Sequence, residues 1–493
     1  MQGKFVKNLA LLLVLNLMIK PFWILGIDRT IQNTVGAESY GFYFAVFNFS
    51  FLFNILLDFG ITNFNNRNIA QNKQLLTKHL SKLLVIKLLL FILYLAVTFS
   101  FAFVINYSQE QIRILYLLAL NQFLLSFILY LRSNLSGLHL FRTDSMISVL
   151  DRSLMIVICG VLIWGNVVEH FKIQYYIYAQ TAGYTITCLV TFLLVIRHTQ
   201  KKLLRLNWNF PFLLAIVRQS FPFALLILLM TLYSRVDSVM LERLLDEGAR
   251  YSGIYASAYR LLDATNMIAY LFAGLLLPIF ARMIKQNQSV HELVRLAYTL
   301  IITAAAIIAS GAFFYSEPLM EILYPIHGAE TQEMFIRRID ESSTVFGLLM
   351  ICFMAMSTTY IFGTLLTASG KLRYLNIIAF AGMIMNIILN FSLIPVYQAT
   401  GSAVSTLFTQ LLVAGFQIWI VKKVFQMKPD YIYLSRLFLF FAATVLLGWG
   451  STHLGFSWKL NLLLFGLVCS GMALALKLIS VRHIYQLLRY GEA

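Results

Sequence analysis

The sequence predicts an all-α integral membrane protein of about 14 transmembrane helices, and three observations predict it. Of its 493 residues, 60% are hydrophobic and 12% charged, about half the ~25% charged content of a soluble domain. The apolar stretches run to some twenty residues, the length that crosses a ~30 Å hydrocarbon core at ~1.5 Å per helical residue. Runs such as "LLVIKLLLFILYLAVTFSFAFVI" lack the alternation of lipid-facing and lumen-facing residues that marks an outer-membrane barrel.

Taken in order, the predicted spans are about 8–27, 40–60, 83–105, 113–131, 146–165, 173–195, 213–237, 251–280, 295–316, 344–366, 375–395, 400–421, 437–455 and 460–479. Lys4 and Lys7 precede the first, which imitates a secretory signal; no small-residue cleavage site follows and "PFWILG" continues apolar, so it is read as a helix. Pro21 marks a bend there, Pro222 one in span seven, and Pro278, one turn after Gly274, another near the end of span eight. The longest outward connection, 317–343 with "EILYPIHGAETQEMFIRRIDESS", is too short for a globular catalytic domain. It reads as a solvated connector, His327 included.

An even number of spans puts both termini on one side. With that side cytoplasmic, the inside segments hold 24 Lys and Arg against 8 outside, as the positive-inside rule requires. The net charge of +17 then follows from loops facing anionic headgroups rather than from nucleic acid. Cys159, Cys188, Cys352 and Cys469 fall within spans, with no pair spaced for a disulfide or metal cluster. No HExxH occurs, and Gly370-Lys371 lacks the rest of a phosphate-binding loop, so neither a cofactor nor an enzymatic reaction is expected.

The chain also repeats. "YGFYFAVFN" near the start of span two and "SGIYASAYR" near the start of span eight superpose at an offset of 212 residues, matching Gly41 with Gly253, Tyr43 with Tyr255, Phe47 with Tyr259 and Asn48 with Arg260. Six spans separate the copies, so both run the same way through the membrane. Such parallel repeats build transporters from two six-helix bundles, with the substrate site between the halves. The expected domains are residues 1–208, 209–424 and, for helices 13 and 14 with the tail, 425–493.

"SFPFALLILLMTLYSRVDSVMLERLLDEGARYSGIYASAYRLLDA" resembles the polysaccharide flippases of the multidrug/oligosaccharidyl-lipid/polysaccharide exporter superfamily, whose seventh helix carries an Arg-x-Asp step before a Gly-x-Tyr turn. "GTLLTASGKLRYLNIIAFAGMIMNIILNFSLIPVYQATGSAVSTLFTQ" is similar to that family's helices ten to twelve, with Asn386 and Asn390 paired. "DFGITNFNNRNIAQ" is similar to its N-terminal pattern. Gln398 departs from it, standing where the family often has glycine before Gly401. The resemblance implies export of a polyprenyl-diphosphate-linked oligosaccharide to the outer leaflet of a bacterial plasma membrane, for surface polysaccharide such as O-antigen or lipopolysaccharide, beside other assembly proteins. A cation-coupled multidrug antiporter or a lipid II flippase of the same superfamily is the alternative.

The residues offer an independent argument. A charge at the bilayer centre costs about 3 kcal/mol and so faces a partner or a wet cavity. Within the spans lie Lys20, Lys87, Arg152, Arg218, Arg235 and Arg260, and the acids Asp58, Asp151, Asp237 and Asp263. The basic excess suits an anionic cargo, since the guanidinium fork engages phosphate well. Arg260, Arg235, Lys20 and Arg152 are the expected headgroup ligands, with Asp237, Asp263 and Asp58 as candidates for ion coupling. Lys87 and Arg218 stand nearer helix ends and are expected to reach outward to headgroups. Arg235 and Asp237 point to opposite sides of one helix, so each needs another partner; Asp237 with Arg260, or Arg235 with Asp263, are open pairings. Asn386 and Asn390 could bind sugar hydroxyls or join helices.

Overall fold

A computed structural model describes residues 14–16, 18–72, 74–165, 167–199, 210–326, 330–427 and 429–478. Among them are fourteen α-helices and no strand. Residues 14–16 and 18–22 are helical, a π-helical turn follows at Trp23–Asp28, and the chain continues as α1 (Arg29–Leu52). Then follow α2 (Ile61–Gln71), α3 (Leu75–Val104), α4 (Gln109–Gly137), α5 (Phe141–Trp164), α6 (Ile173–Arg197), α7 (Phe210–Leu244), α8 (Gly248–Lys285), α9 (His291–Phe314), α10 (Ser316–Leu323), α11 (Gln332–Ala368), α12 (Leu372–Val424), α13 (Tyr431–Ser451) and α14 (Trp458–Ala475).

Eleven of these are long and apolar enough to cross a membrane. At 53 residues α12 is two helices joined at Gln398, where φ is 48° and ψ −128°; α1 breaks likewise at Gly36, φ 83° and ψ 164°. Divided at Gln398, α12 covers expected spans eleven and twelve, and the other ten long helices each coincide with one expected span. The bent pair Val14–Leu52 with Asn54–Gln71 lies where the first two are expected, while α2 and α10 were not expected as helices of their own. The backbone at Gln398 is one that side chains avoid and glycine adopts freely. Gly401 is needed for another reason, because a Cβ there would run into the Leu393 carbonyl.

The chain forms two compact units, Met1–Val239 and Met240–Ala493, divided inside α7. In unit one, the second span does not run straight. It changes to a 3₁₀ turn at Asn54–Leu57, passes Gly60 at φ 79°, and resumes as α2, bent by 52°. A break in hydrocarbon frees carbonyls that lipid cannot satisfy. Lys87 supplies the donors: its Nζ gives hydrogen bonds to Leu57 O at 2.9 Å, Asp58 Oδ1 at 2.6 Å and Ser126 Oγ at 3.1 Å. Ser126 Oγ also donates to Leu57 O at 3.2 Å. The expectation that Lys87 reaches outward to headgroups is therefore corrected. Its side chain is 1% exposed, held inward because the freed carbonyl and Asp58 need its ammonium more than it needs water. Arg218, by contrast, is exposed.

In unit two, the expected connector at 317–343 is largely helical: α10 occupies its start and α11 begins at Gln332 behind a Thr331 N-cap. His327 lies outside the described residues. Its charges are ordered by Arg338, whose Nε and Nη2 fork onto Glu330 at 2.7 and 2.9 Å while Nη2 also reaches the Tyr324 and Pro325 carbonyls at 3.3 Å. The Tyr324 hydroxyl then donates to Ser257 O of α8 at 3.0 Å.

The repeat survives as matching polar pins. Tyr43, in the second span, accepts from Gln180 Nε2 of α6 at 2.8 Å, and Tyr255 of α8 meets Thr406 Oγ1 of α12 at 3.3 Å. Each therefore joins the second helix of its copy to the sixth, within its own unit. The four cysteines are buried free thiols.

Candidate functional site

The site builds up along one side of unit one, where the N-terminal helix lies on α5. Asn16 Nδ2 donates to Ser148 Oγ at 3.0 Å, keying the two helices in register. One turn on from Asn16 comes Lys20, and one turn on from Ser148 comes Arg152; i, i+4 spacing keeps each pair on one helix face. Lys20 is half-buried, and its charged neighbours are Arg152, Asp151 and Arg132. The Arg152 guanidinium lies over the Trp23 ring at 5.4 Å and the Tyr184 ring at 5.8 Å, geometry in which a cation gains from the ring quadrupole.

What these two cations lack, among the described residues, is an anion at hydrogen-bond distance. Asp151 Oδ2 stands 3.8 Å from Arg152 Nε, beyond hydrogen-bond range, and among the described residues Arg152 Nη1 finds only the Met155 thioether at 3.6 Å. Among the described residues, Lys20 makes no hydrogen bond or ion pair. Two like charges in an apolar helix pair, without a carboxylate hydrogen-bonded to either, repel each other and leave donors open. An anion placed between them would satisfy both conditions. The Arg152 side chain, 25% exposed, leaves room for one to reach it.

Beyond Arg152 the site is closed by aromatic residues and by a carboxylate that the sequence reading assigned to a loop. Asp28 is 1% exposed and accepts from the hydroxyl of Tyr40 at 2.8 Å and from that of Tyr176. Tyr43 and Trp23 pack on the Tyr176 ring. In sequence Asp28 matches Asp237, each following a branched apolar residue ahead of the repeated Gly-x-Tyr segment, but ending the first span at its charge left Asp28 outside the membrane and off the expected site. Asp237 is likewise 1% exposed.

The remaining expected residues fall elsewhere. Arg235 lies over the Phe51 ring at 5.6 Å, and its neighbour Ser238 accepts from Asn48 at 2.7 Å. Asp58 is engaged by Lys87 and caps Thr62. In unit two, Arg260 and Asp263 face each other along α8 at 3.9 Å. Asn386 and Asn390 are both 0% exposed, and Asn390 Nδ2 donates to Asn386 Oδ1 at 3.1 Å along the helix.

Comparison with known proteins supplies a family and a fold. Residues 5–284 match the model of a family described as polysaccharide biosynthesis protein. Comparison with curated proteins finds no match. The structure is similar to that of a lipid II flippase MurJ in an inward closed conformation, with a TM-score of 0.69 at 15% identity over 94% of this chain and 98% of that one. It is also similar to an inward-facing multidrug resistance MATE transporter of the MOP superfamily, at TM-score 0.58 and 13% identity over 83% of this chain and 96% of that one. A MOP-superfamily transporter from Pyrococcus furiosus gives 0.53 at 16% identity, over 85% and 94%. At such identities the likeness is one of fold.

Proposed function

The chain belongs to the polysaccharide biosynthesis protein family, and from that premise we propose that it carries a polyprenyl-diphosphate-linked oligosaccharide from the cytoplasmic to the outer leaflet by alternating access. The observation that carries this reading is the pair Lys20 and Arg152, two adjacent intramembrane cations whose donors no nearby oxygen occupies among the described residues. A diphosphate brings the missing charge and several acceptors at once, and a guanidinium engages it through two parallel N–H groups. Trp23 and Tyr184 flank the guanidinium in advance, so less ordering is required when the ligand arrives.

In this reading Lys20 and Arg152 receive the headgroup, Arg235 and Arg260 are further cationic contacts during the cycle, and the lipid tail stays in the bilayer. Asp237 and Asp263 are the carboxylates proposed to couple the cycle to an ion gradient. Asp58 is the weaker candidate of the three, since its charge already compensates Lys87. Asn386 and Asn390 would meet sugar only if the cycle unpacks α12.

The experiment is flipping in proteoliposomes of three cargoes: a polyprenyl-diphosphate oligosaccharide, lipid II and a lipophilic cation. The proposal expects transport of the first, and loss of about tenfold or more in Lys20→Ala and Arg152→Ala, the effect of removing a charge-assisted hydrogen bond. Transport of the cation in its place would overturn it.

A further inference from the structure

Arg132 lies near the end of the fourth span and Asp144 in the first turn of the fifth, at the end of unit one where the connecting segments carry the excess of lysine and arginine. Arg132 Nε donates to Asp144 Oδ1 at 2.7 Å, with the two side chains only 19% and 12% exposed. The pair is joined at that single point. Among the described residues, neither Nη of Arg132 nor the second oxygen of Asp144 has a hydrogen-bond partner, so four of the five guanidinium donors stay available. Arg338, used to hold a structure together, is arranged differently: it forks onto both oxygens of Glu330 and takes two carbonyls besides.

Arg132 is also a charged neighbour of Lys20, as Arg152 is. The eight residues from Asp144 to Arg152 rise about 12 Å along α5. Arg132, Lys20 and Arg152 are thus three steps leading inward from the helix ends, stopping beneath Trp23 and the tyrosines. A carboxylate at the first step keeps that guanidinium compensated while no ligand is present. It also opposes every incoming anion, and one carboxylate oxygen on one N–H is a weak competitor for a group that can engage the whole fork.

We infer that Arg132 and Asp144 form an exchange pair: an arriving lipid-anchored diphosphate takes the Arg132 fork from Asp144 and passes from there to Lys20 and Arg152. The consequence is selectivity at the mouth. A singly charged headgroup gains little over Asp144, whereas a diphosphate, with more charge and more acceptors, displaces it. This inference rests on the function proposed above, and its test is chosen to separate the two.

Full-length protein in nanodiscs is titrated with geranyl diphosphate, with geraniol as the uncharged control, and each variant's melting temperature is recorded. Arg132→Ala should weaken binding about tenfold, the loss of a charged donor fork, and Arg132→Lys should fall between. Asp144→Asn keeps the size and helix position of the side chain while removing the competing charge, so it should tighten binding about threefold to tenfold. A pair that only braces the helices is broken by either substitution, so changes of the same sign, or none, overturn the exchange pair. Loss of binding in Lys20→Ala and Arg152→Ala together with unaltered binding in the Arg132 and Asp144 variants overturns the exchange pair and leaves the proposed function standing. Unaltered binding in all of them, or equal binding of geraniol, overturns both.

Discussion

Lys87 and Lys20 are lysines in apolar helices of the same unit, and they do opposite things with their charge. All three donors of Lys87 are used, on a backbone carbonyl, a carboxylate and a hydroxyl at a helix break. Lys20 uses none among the described residues and stands beside a second cation. Under the proposed function the difference separates charges that hold the fold from charges kept for a ligand, and the guide is whether donors are occupied or available rather than depth in the membrane. Arg338 and Arg152 repeat the contrast as arginines, the first forked onto Glu330 and two carbonyls, the second 3.8 Å from its carboxylate and flanked by rings.

The largest expected effect is on the occupied side. Lys87→Met should lower stability in detergent by roughly 3–5 kcal/mol, because Asp58 and the Leu57 carbonyl lose their buried partner. Adding Asp58→Asn should recover part of that loss, the coupling expected of groups in contact. Thermal unfolding checks both, and a Lys87 variant as stable as wild type would break the comparison. In the other unit, Arg338→Ala should cost roughly 2–3 kcal/mol by leaving Glu330 unpaired, again read from unfolding rather than from transport.

Gln398→Gly sharpens the point from another side. The break in α12 carries a non-glycine residue at positive φ, which costs of order 1–3 kcal/mol, so the substitution should raise the melting temperature. The smallest effect belongs to an exposed pair. The Asp430 carboxyl, at the start of α13, is held below the usual carboxylate range, first by the Tyr433 backbone N–H and further by Arg295. A group depressed in the folded state contributes stability that is present above its unfolded value near ~3.9 and is lost as pH falls through the folded one. Asp430→Asn should therefore lower stability above the carboxylate range and leave it unchanged in stronger acid, and only slightly, since exposed charges are screened.

The long helices were legible because length and hydropathy set them, and the repeat was legible because its aromatic residues fill equivalent buried places: Tyr43 and Tyr255 each pin a second helix to a sixth. Lys20 and Arg152 could be picked out because a charge in an apolar run is conspicuous. Lys87 was misread, since nothing in its own span announces that a helix breaks opposite it; the clue lay in Asp58 and Gly60, far off in sequence. Arg132 and Asp144 were missed, and Asp28 was placed outside its span, for one shared reason. Ending each span at its first charge places in loops the residues that a longer helix buries, and the helical chain here runs past Asp28 to Gly36. Whether an arginine is saturated is a matter of three-dimensional neighbours, which spacing along the chain does not carry.

The most direct test compares Arg152→Ala with Lys87→Met in the same proteoliposome flipping assay, each paired with its melting temperature. Arg152→Ala should flip the lipid-linked oligosaccharide about tenfold or more slowly while unfolding within a few degrees of wild type, and Lys87→Met should show its main loss in stability. Wild-type flipping by Arg152→Ala, in protein that is folded and correctly inserted, would contradict the account.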